Sequence, residues 1–260
     1  MGTAQVQGAL WGAAAEDWAQ IVEPMSAPLF EAVLDAVGVG DGTRLLDAGC
    51  GSGLALQIAR GRGAQVSGLD ASEGLLAVAR TRVPDGDLRH GELEALPFGP
   101  SSFDAVTAFN SVQYAADPVA ALRELARVAE LGAPVGVVTW GAPDRCETRT
   151  VLAALGSLLP PPPPGAGGPF ALAEPGRLEE LVASAGLSPK DADEVPVPFV
   201  LADLDTAVRA HLSSGPACRA IEVAGRDAVE ATLRTALEAS IQPDGTSRQD
   251  NVFRYVVATA

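Results

Sequence analysis

The densest run of chemically useful residues is Leu45-Leu-Asp-Ala-Gly-Cys-Gly-Ser-Gly53, a strand that ends near an acid and passes directly into three glycines at alternate positions. Glycine there lets the backbone turn sharply and approach a ligand to contact distance. The spacing is G-x-G-x-G with Leu54 in the sixth place, whereas a dinucleotide loop uses G-x-G-x-x-G and seats pyrophosphate on the helix N-terminus. Asp47, two residues before the first glycine, would oppose a pyrophosphate and suits a ligand that carries an ammonium and a sulfonium. Asp70 ends the next strand about 20 positions after Gly51, the place from which a carboxylate accepts both hydroxyls of an adenosine ribose. Without the glycine loop it would read as a helix cap.

Other candidates are sparse. His90 and His211 are the only histidines, the side chains whose ordinary pKa lies near neutrality, so they are the candidate general bases. Asn110 follows the fourth strand, at a crevice position where a sheet edge faces its ligand. Gln113 and Tyr114 are expected near the mouth as orienting hydrogen-bond partners for a substrate. Cys50, Cys146 and Cys218 are widely spaced with no CxxC pair, which predicts free thiols and no metal site.

These residues need a scaffold, and residues 43 to 140 alternate strand and helix in the pattern of a parallel sheet covered on both faces. Strands are expected at 43–48, 64–70, 87–91, 103–109 and 133–140. Ser72 is placed to cap the helix whose Leu75, Leu76 and Ala79 share a face, and Asp117-Pro118 is a strong helix start. Beyond Gly141 a helix over 148–159 runs into a proline- and glycine-rich spacer from Pro160 to Gly168. A helix closed by Gly186, a strand over 194–201, helical segments broken near Gly215-Pro216 and Gly225, and a last strand over 251–259 complete the chain.

With 260 residues, 47% hydrophobic and 20% charged, the chain has enough apolar material for one compact domain. Its formal charge of −15 repels phosphate backbones, which argues against nucleic acid as a partner. No apolar run approaches the ~20 residues of a membrane span, and nothing basic precedes Arg44 to form a secretory n-region, so a cytoplasmic protein is expected.

The segments LLDAGCGSG, GLDAS, GELEALPFGPSSFDAV and ALRELARVAELGAPVGVVTW, in this order, resemble the class I S-adenosylmethionine-dependent methyltransferases, especially the small-molecule branch of quinone-biosynthesis and natural-product enzymes. The resemblance implies a Rossmann-like, doubly wound α/β fold. Its sheet would have seven strands, mostly parallel with an antiparallel last strand, and a helical insertion over the acceptor pocket. It implies one methyltransferase domain over 1–260: a helical cover (1–42), a cofactor core (43–141), an acceptor-side region (142–250) and the last strand (251–260). S-adenosyl-L-methionine is the implied cofactor, leaving as S-adenosyl-L-homocysteine. Gly49, Gly51 and Gly53 would bring backbone to its methionine end, Asp47 would join the ammonium network, Asp70 would hold the ribose, and Ala71, Glu92 and Leu93 would meet the adenine. Glu92 stands where the family usually has aspartate. Asn110 would hold cofactor or substrate, and Trp11, in a segment the family folds over the cofactor, would touch the sulfonium or the methionine carboxylate. Trp18 reads more simply as packing. His211 falls in the region that roofs the acceptor and is the preferred catalytic base, with Gln113 and Tyr114 as substrate contacts.

The implied reaction is methyl transfer to oxygen or carbon, with nitrogen as a further possibility, of a small and partly apolar metabolite. The Asn/Asp-Pro-Pro-Tyr/Phe motif of exocyclic-amine enzymes is absent after the fourth strand, as is the Pro-Cys pair of cytosine carbon-5 enzymes. Three rivals use the same chain: a cyclase or other non-methylating enzyme that binds the cofactor, a non-catalytic cofactor-binding protein, and a nicotinamide dehydrogenase.

Overall fold

The structure, a computed structural model, describes residues 2–161 and 168–260. Its strands are β1 (Arg44–Ala48), β2 (Gln65–Asp70), β3 (Asp87–His90), β4 (Ala105–Phe109), β5 (Pro134–Trp140), β6 (Ser188–Pro196), β7 (Phe199–Leu201), β8 (Ser247–Gln249) and β9 (Val252–Thr259). Among the described residues, seven of them form one sheet in the order β3-β2-β1-β4-β5-β9-β6, and β7 and β8 pair separately. Strands β1 to β5 run parallel, and β9 enters antiparallel between β5 and β6. The central strands are apolar on both faces, with Leu45, Leu46, Val106, Ala108, Val135 and Val137 buried, because helices cover both sides.

The helices are α1 (Ala4–Gly12), α2 (Ala15–Asp17), α3 (Ala27–Ala36), α4 (Leu54–Gly61), α5 (Glu73–Arg82), α6 (Pro118–Val128), α7 (Thr148–Gly156), α8 (Arg177–Ser184), α9 (Leu204–Leu212), α10 (Gly215–Ala224) and α11 (Arg226–Leu237). The two predicted caps form. Ser72 Oγ accepts the Leu75 N–H at 3.2 Å, and Asp117 accepts from Val119 and Ala120, both at 3.0 Å. Helices α7, α9, α10 and α11 bury Val151, Leu155, Ala207, Leu233 and Leu237 against one another and form a cap with its own apolar centre.

One strand differs from expectation. The run predicted as 194–201 is two elements: β6 starts earlier, at Ser188, and stops at Pro196, and β7 belongs to the small second sheet. β6 is an edge strand with exposed residues on both faces, so it shows no apolar alternation, and Pro198 lacks the N–H that would continue the ladder. The helix predicted over 148–159 ends at Gly156. Most of the predicted spacer, residues 162–167, lies outside the described residues. No helix among the described residues is long and apolar enough to cross a membrane.

Sheet order reverses at β1, whose neighbours are β2 on one side and β4 on the other. The carboxyl ends of β1 and β4 therefore open a crevice, and the loops that leave them build the site.

Candidate cofactor and acceptor site

Gly49, Gly51 and Gly53 all take positive φ, at +84°, +54° and +83°. A Cβ on Gly49 would lie 2.3 Å from that of Ser111, so a side chain is excluded there by space as well as by conformation. The loop's donors are already engaged: the N–H groups of Gly49 and Cys50 reach the Leu69 carbonyl at 2.7 and 2.9 Å, Gly51 N–H reaches Asp70 Oδ2 at 2.8 Å, and Gly53 N–H reaches the Cys50 carbonyl at 2.9 Å. A phosphate needs free N–H groups at such a turn and finds none on these four residues. A cation needs oxygen, which two neighbouring acids supply.

The first of two adjoining cavities, about 160 Å³, lies between α1 and the ends of β2, β3 and β4. It brings together Trp11, Gly49, Gly51, Asp70, Ala71, Glu92, Leu93, Asn110 and Tyr114 from the predicted set. Asp70 is held by its own loop, with Oδ1 accepting the Ser72 N–H at 2.8 Å, and burial pushes its carboxyl upward against those hydrogen bonds. His90 lies outside this cavity. It is exposed, and its Nε2 sits 2.9 Å from the Ala71 carbonyl, a contact that steadies the neighbouring loop.

Gly53 does not line either cavity. Its Cβ would meet that of Ala79 at 2.9 Å, so glycine at this position lets α4 pack on α5.

The second cavity, about 150 Å³, extends beneath the helical cap. It shares Trp11, Trp18, Gly49, Gly51, Phe109, Asn110 and Tyr114 with the first, so the two meet above the glycine loop. Asp47 opens into this second cavity, with Oδ1 accepting from Thr107 Oγ1 at 2.9 Å. Burial, with Asp70 and Glu23 nearby, pushes its carboxyl up to about 7. A cation placed against this carboxyl would offset the cost of burial and favour its charged form.

Glu23 escaped the sequence reading. It is 5% exposed, lines the second cavity, accepts from Ser52 Oγ at 2.6 Å and pairs with Arg82, which also donates to the Ser52 and Ala19 carbonyls at 2.9 and 2.8 Å. The pair fastens the amino-terminal segment to the glycine loop. The available signal was a charge amid Ile21-Val-Glu-Pro-Met25, but its partner lies 59 residues away.

His211 stands on α9, is 9% exposed and lines the second cavity, with Nε2 2.7 Å from Gln249 Oε1. With the Gln249 carbonyl accepting, Nε2 carries the proton and Nδ1 is the basic nitrogen. Burial lowers its pKa, which keeps the imidazole neutral. Tyr114 lines both cavities and burial pushes its phenol up to about 12, so it is no base. Gln113 lines neither. Its amide donates to Asn110 Oδ1 at 2.5 Å and braces Asn110, which holds φ +52° at the junction.

Trp18 packs against the apolar centre of the cap, as read from the sequence. It lines both cavities and lies edge to face with Trp11, centroids 4.9 Å apart, while Trp11 meets Tyr114 in the same manner at 5.7 Å. Across the chamber Trp140 stacks on Phe253 at 4.4 Å and sits 6.3 Å from Phe199. All three cysteines are free and buried.

The site thus joins an acid near the end of β1, a glycine loop in which the N–H groups of Gly49, Cys50, Gly51 and Gly53 are engaged, and an acid that closes β2, on a Rossmann-like sheet. Residues 46–135 match the family model described as a methyltransferase domain. The demethylmenaquinone methyltransferase of Renibacterium salmoninarum is 39% identical over 119 residues, 46% of this chain and 50% of that protein. The chain spans about half the length of the curated relatives it matches. In fold it is similar to a putative methyltransferase from Bacillus halodurans, with a TM-score of 0.60 at 14% identity over 88% of this chain and 97% of that one. The [4+2]-cyclase SpnF aligns with a TM-score of 0.57 at 22% identity over 89% and 80%. The resemblance to class I methyltransferases read from the sequence is borne out by these findings.

Proposed function

We propose that the chain binds S-adenosyl-L-methionine in the first cavity and the neighbouring end of the second, and methylates oxygen or carbon of a small, partly apolar molecule held in the rest of the second. The observation that carries this reading is the meeting of the two cavities at Gly49, Gly51, Asn110 and the Trp11–Trp18–Tyr114 group. The residues present fit the cofactor: Asp70 suits a ribose, and Asp47 and the Glu23 side of the loop suit an ammonium. The faces of Trp11 and Trp18 suit a sulfonium. When bound, the cofactor would supply an electrophilic methyl group on a sulfonium that leaves as a neutral thioether, and the acceptor's displaced proton would need a base.

The chain's own contribution is alignment and exclusion of water, with neutral His211 as the group that takes the acceptor's proton. Asn110, braced by Gln113, presents its backbone and amide at the junction. We read the 260 residues as one working unit of the cytoplasm, with residues 1–42 as cover, 43–141 as cofactor core, 142–250 as acceptor side and 251–260 as closing strand. Nucleic acid is left out by the net charge of −15. The test is turnover: purified protein with cofactor and a panel of hydroxylated aromatic acceptors should form S-adenosyl-L-homocysteine in step with a product 14 mass units heavier, roughly one methylene.

A second reading, a cyclase that keeps the cofactor as a bound part, is favoured only by the likeness in fold to SpnF. A product of unchanged mass would select it.

A further inference from the structure

The second cavity divides by chemistry. Its two acids, Glu23 and Asp47, lie against the glycine loop, and among the described residues no lysine or arginine lines it. Away from the loop the walls are aromatic and aliphatic: Trp140, Phe199 and Phe253 face the space roofed by α9, with Leu152 and Leu201 beside them. An anionic substituent would there lose its hydration and find no counter-charge.

One polar atom in this wall lacks a partner. Thr148 is 4% exposed, and its Oγ1 makes no hydrogen bond, although its backbone N–H is satisfied by Asn251 Oδ1 at 3.1 Å. Buried hydroxyls are nearly always paired, and the residue that carries this one lines the chamber.

Resting on the methyl-transfer reading above, we propose that this chamber selects an uncharged, planar aromatic acceptor and that Thr148 Oγ1 is the specificity-determining group that hydrogen-bonds a polar substituent of it. Flat rings match the stacked and edge-on aromatic walls, and the orphan hydroxyl sets their orientation.

The test uses the full chain with S-adenosyl-L-homocysteine bound, titrated with 2-naphthol and with 3-hydroxy-2-naphthoate and followed by tryptophan fluorescence. The inference expects naphthol to bind at least about tenfold tighter than the carboxylate. Thr148→Val should weaken naphthol about fivefold, the effect of one neutral hydrogen bond, while Thr148→Ser restores it and both variants keep the parental affinity for the homocysteine ligand. Equal or tighter binding of the carboxylate, no binding of either naphthalene, or an unchanged Thr148→Val affinity overturns the inference. Failure of the adenosyl ligand itself to bind is a separate result, and it overturns the methyl-transfer reading beneath.

Discussion

The two cavities that share the glycine loop are built by different means. The first is shaped by main chain: positive-φ glycines, N–H groups held by Leu69 and Asp70, and an acid at the end of β2. The second shares that loop and the Trp11–Trp18–Tyr114 group with the first, and the rest of its wall is side chains from widely separated parts of the chain, from Met25 and Phe30 through Trp140 to Phe253. A wall of backbone changes only when the fold changes, whereas a wall of side chains changes with single substitutions. This difference suits a fixed cofactor beside a variable acceptor.

The largest expected effect would blur the division, because Glu23 lines the second cavity and also holds the glycine loop that both share. Glu23→Ala removes the partner of Arg82 and leaves a largely buried guanidinium unpaired, so a loss of about 3 kcal/mol in unfolding free energy is expected. Denaturant melts of the free protein check this, and a loss below about 0.5 kcal/mol would place the pair among ordinary surface bridges.

Breaking the acceptor side alone should leave the cofactor side intact. His211→Gln is expected to lower kcat about a hundredfold with cofactor affinity unchanged. Because burial lowers the His211 pKa, the parental rate should fall only as pH drops below about 6.5, and the variant should lose this acid limb. A retained limb would remove His211 from the chemistry.

The converse cut is Asp70→Ala, which deletes the acid proposed to hold the ribose and frees the Gly51 N–H. Cofactor affinity should fall about thirtyfold, near 2 kcal/mol, while Thr148- and His211-dependent properties stay in place. Unchanged affinity in a titration would take Asp70 out of the site.

The smallest effect is a proton. Asp47, raised to about 7 by burial, contributes stability to the free protein that is present below about pH 4 and lost as pH rises through 7. A bound cation draws this pKa back down, so binding should release protons and tighten a few-fold between about pH 6 and 8. Titration in buffers of different ionisation enthalpy counts those protons, and a pH-independent affinity would separate Asp47 from the ligand.

What could be read from the sequence follows the same division. Asp47, Gly49 and Gly51 are legible because strand and turn force them into one short run, and Asp70 because it closes the next strand; local spacing is what a sequence displays. Gly53 shared their spacing but serves helix packing, which needs the position of Ala79, far along the chain. Gln113 was placed one contact too close, since its amide faces Asn110 and not the cavity. Glu23–Arg82, the orphan hydroxyl of Thr148 and the aromatic wall arise from long-range packing and carry no local pattern. β6 was mistaken in its bounds because an exposed edge strand need not alternate.

The central claim, that the glycine loop is built for a sulfonium-bearing adenosyl ligand and not for a dinucleotide, is tested most directly by calorimetric titration of the purified chain with S-adenosyl-L-methionine, S-adenosyl-L-homocysteine and NAD in parallel. The loop's engaged N–H groups and adjacent acids predict micromolar binding of the two adenosyl ligands and no heat with NAD. Binding of NAD alone would contradict the account.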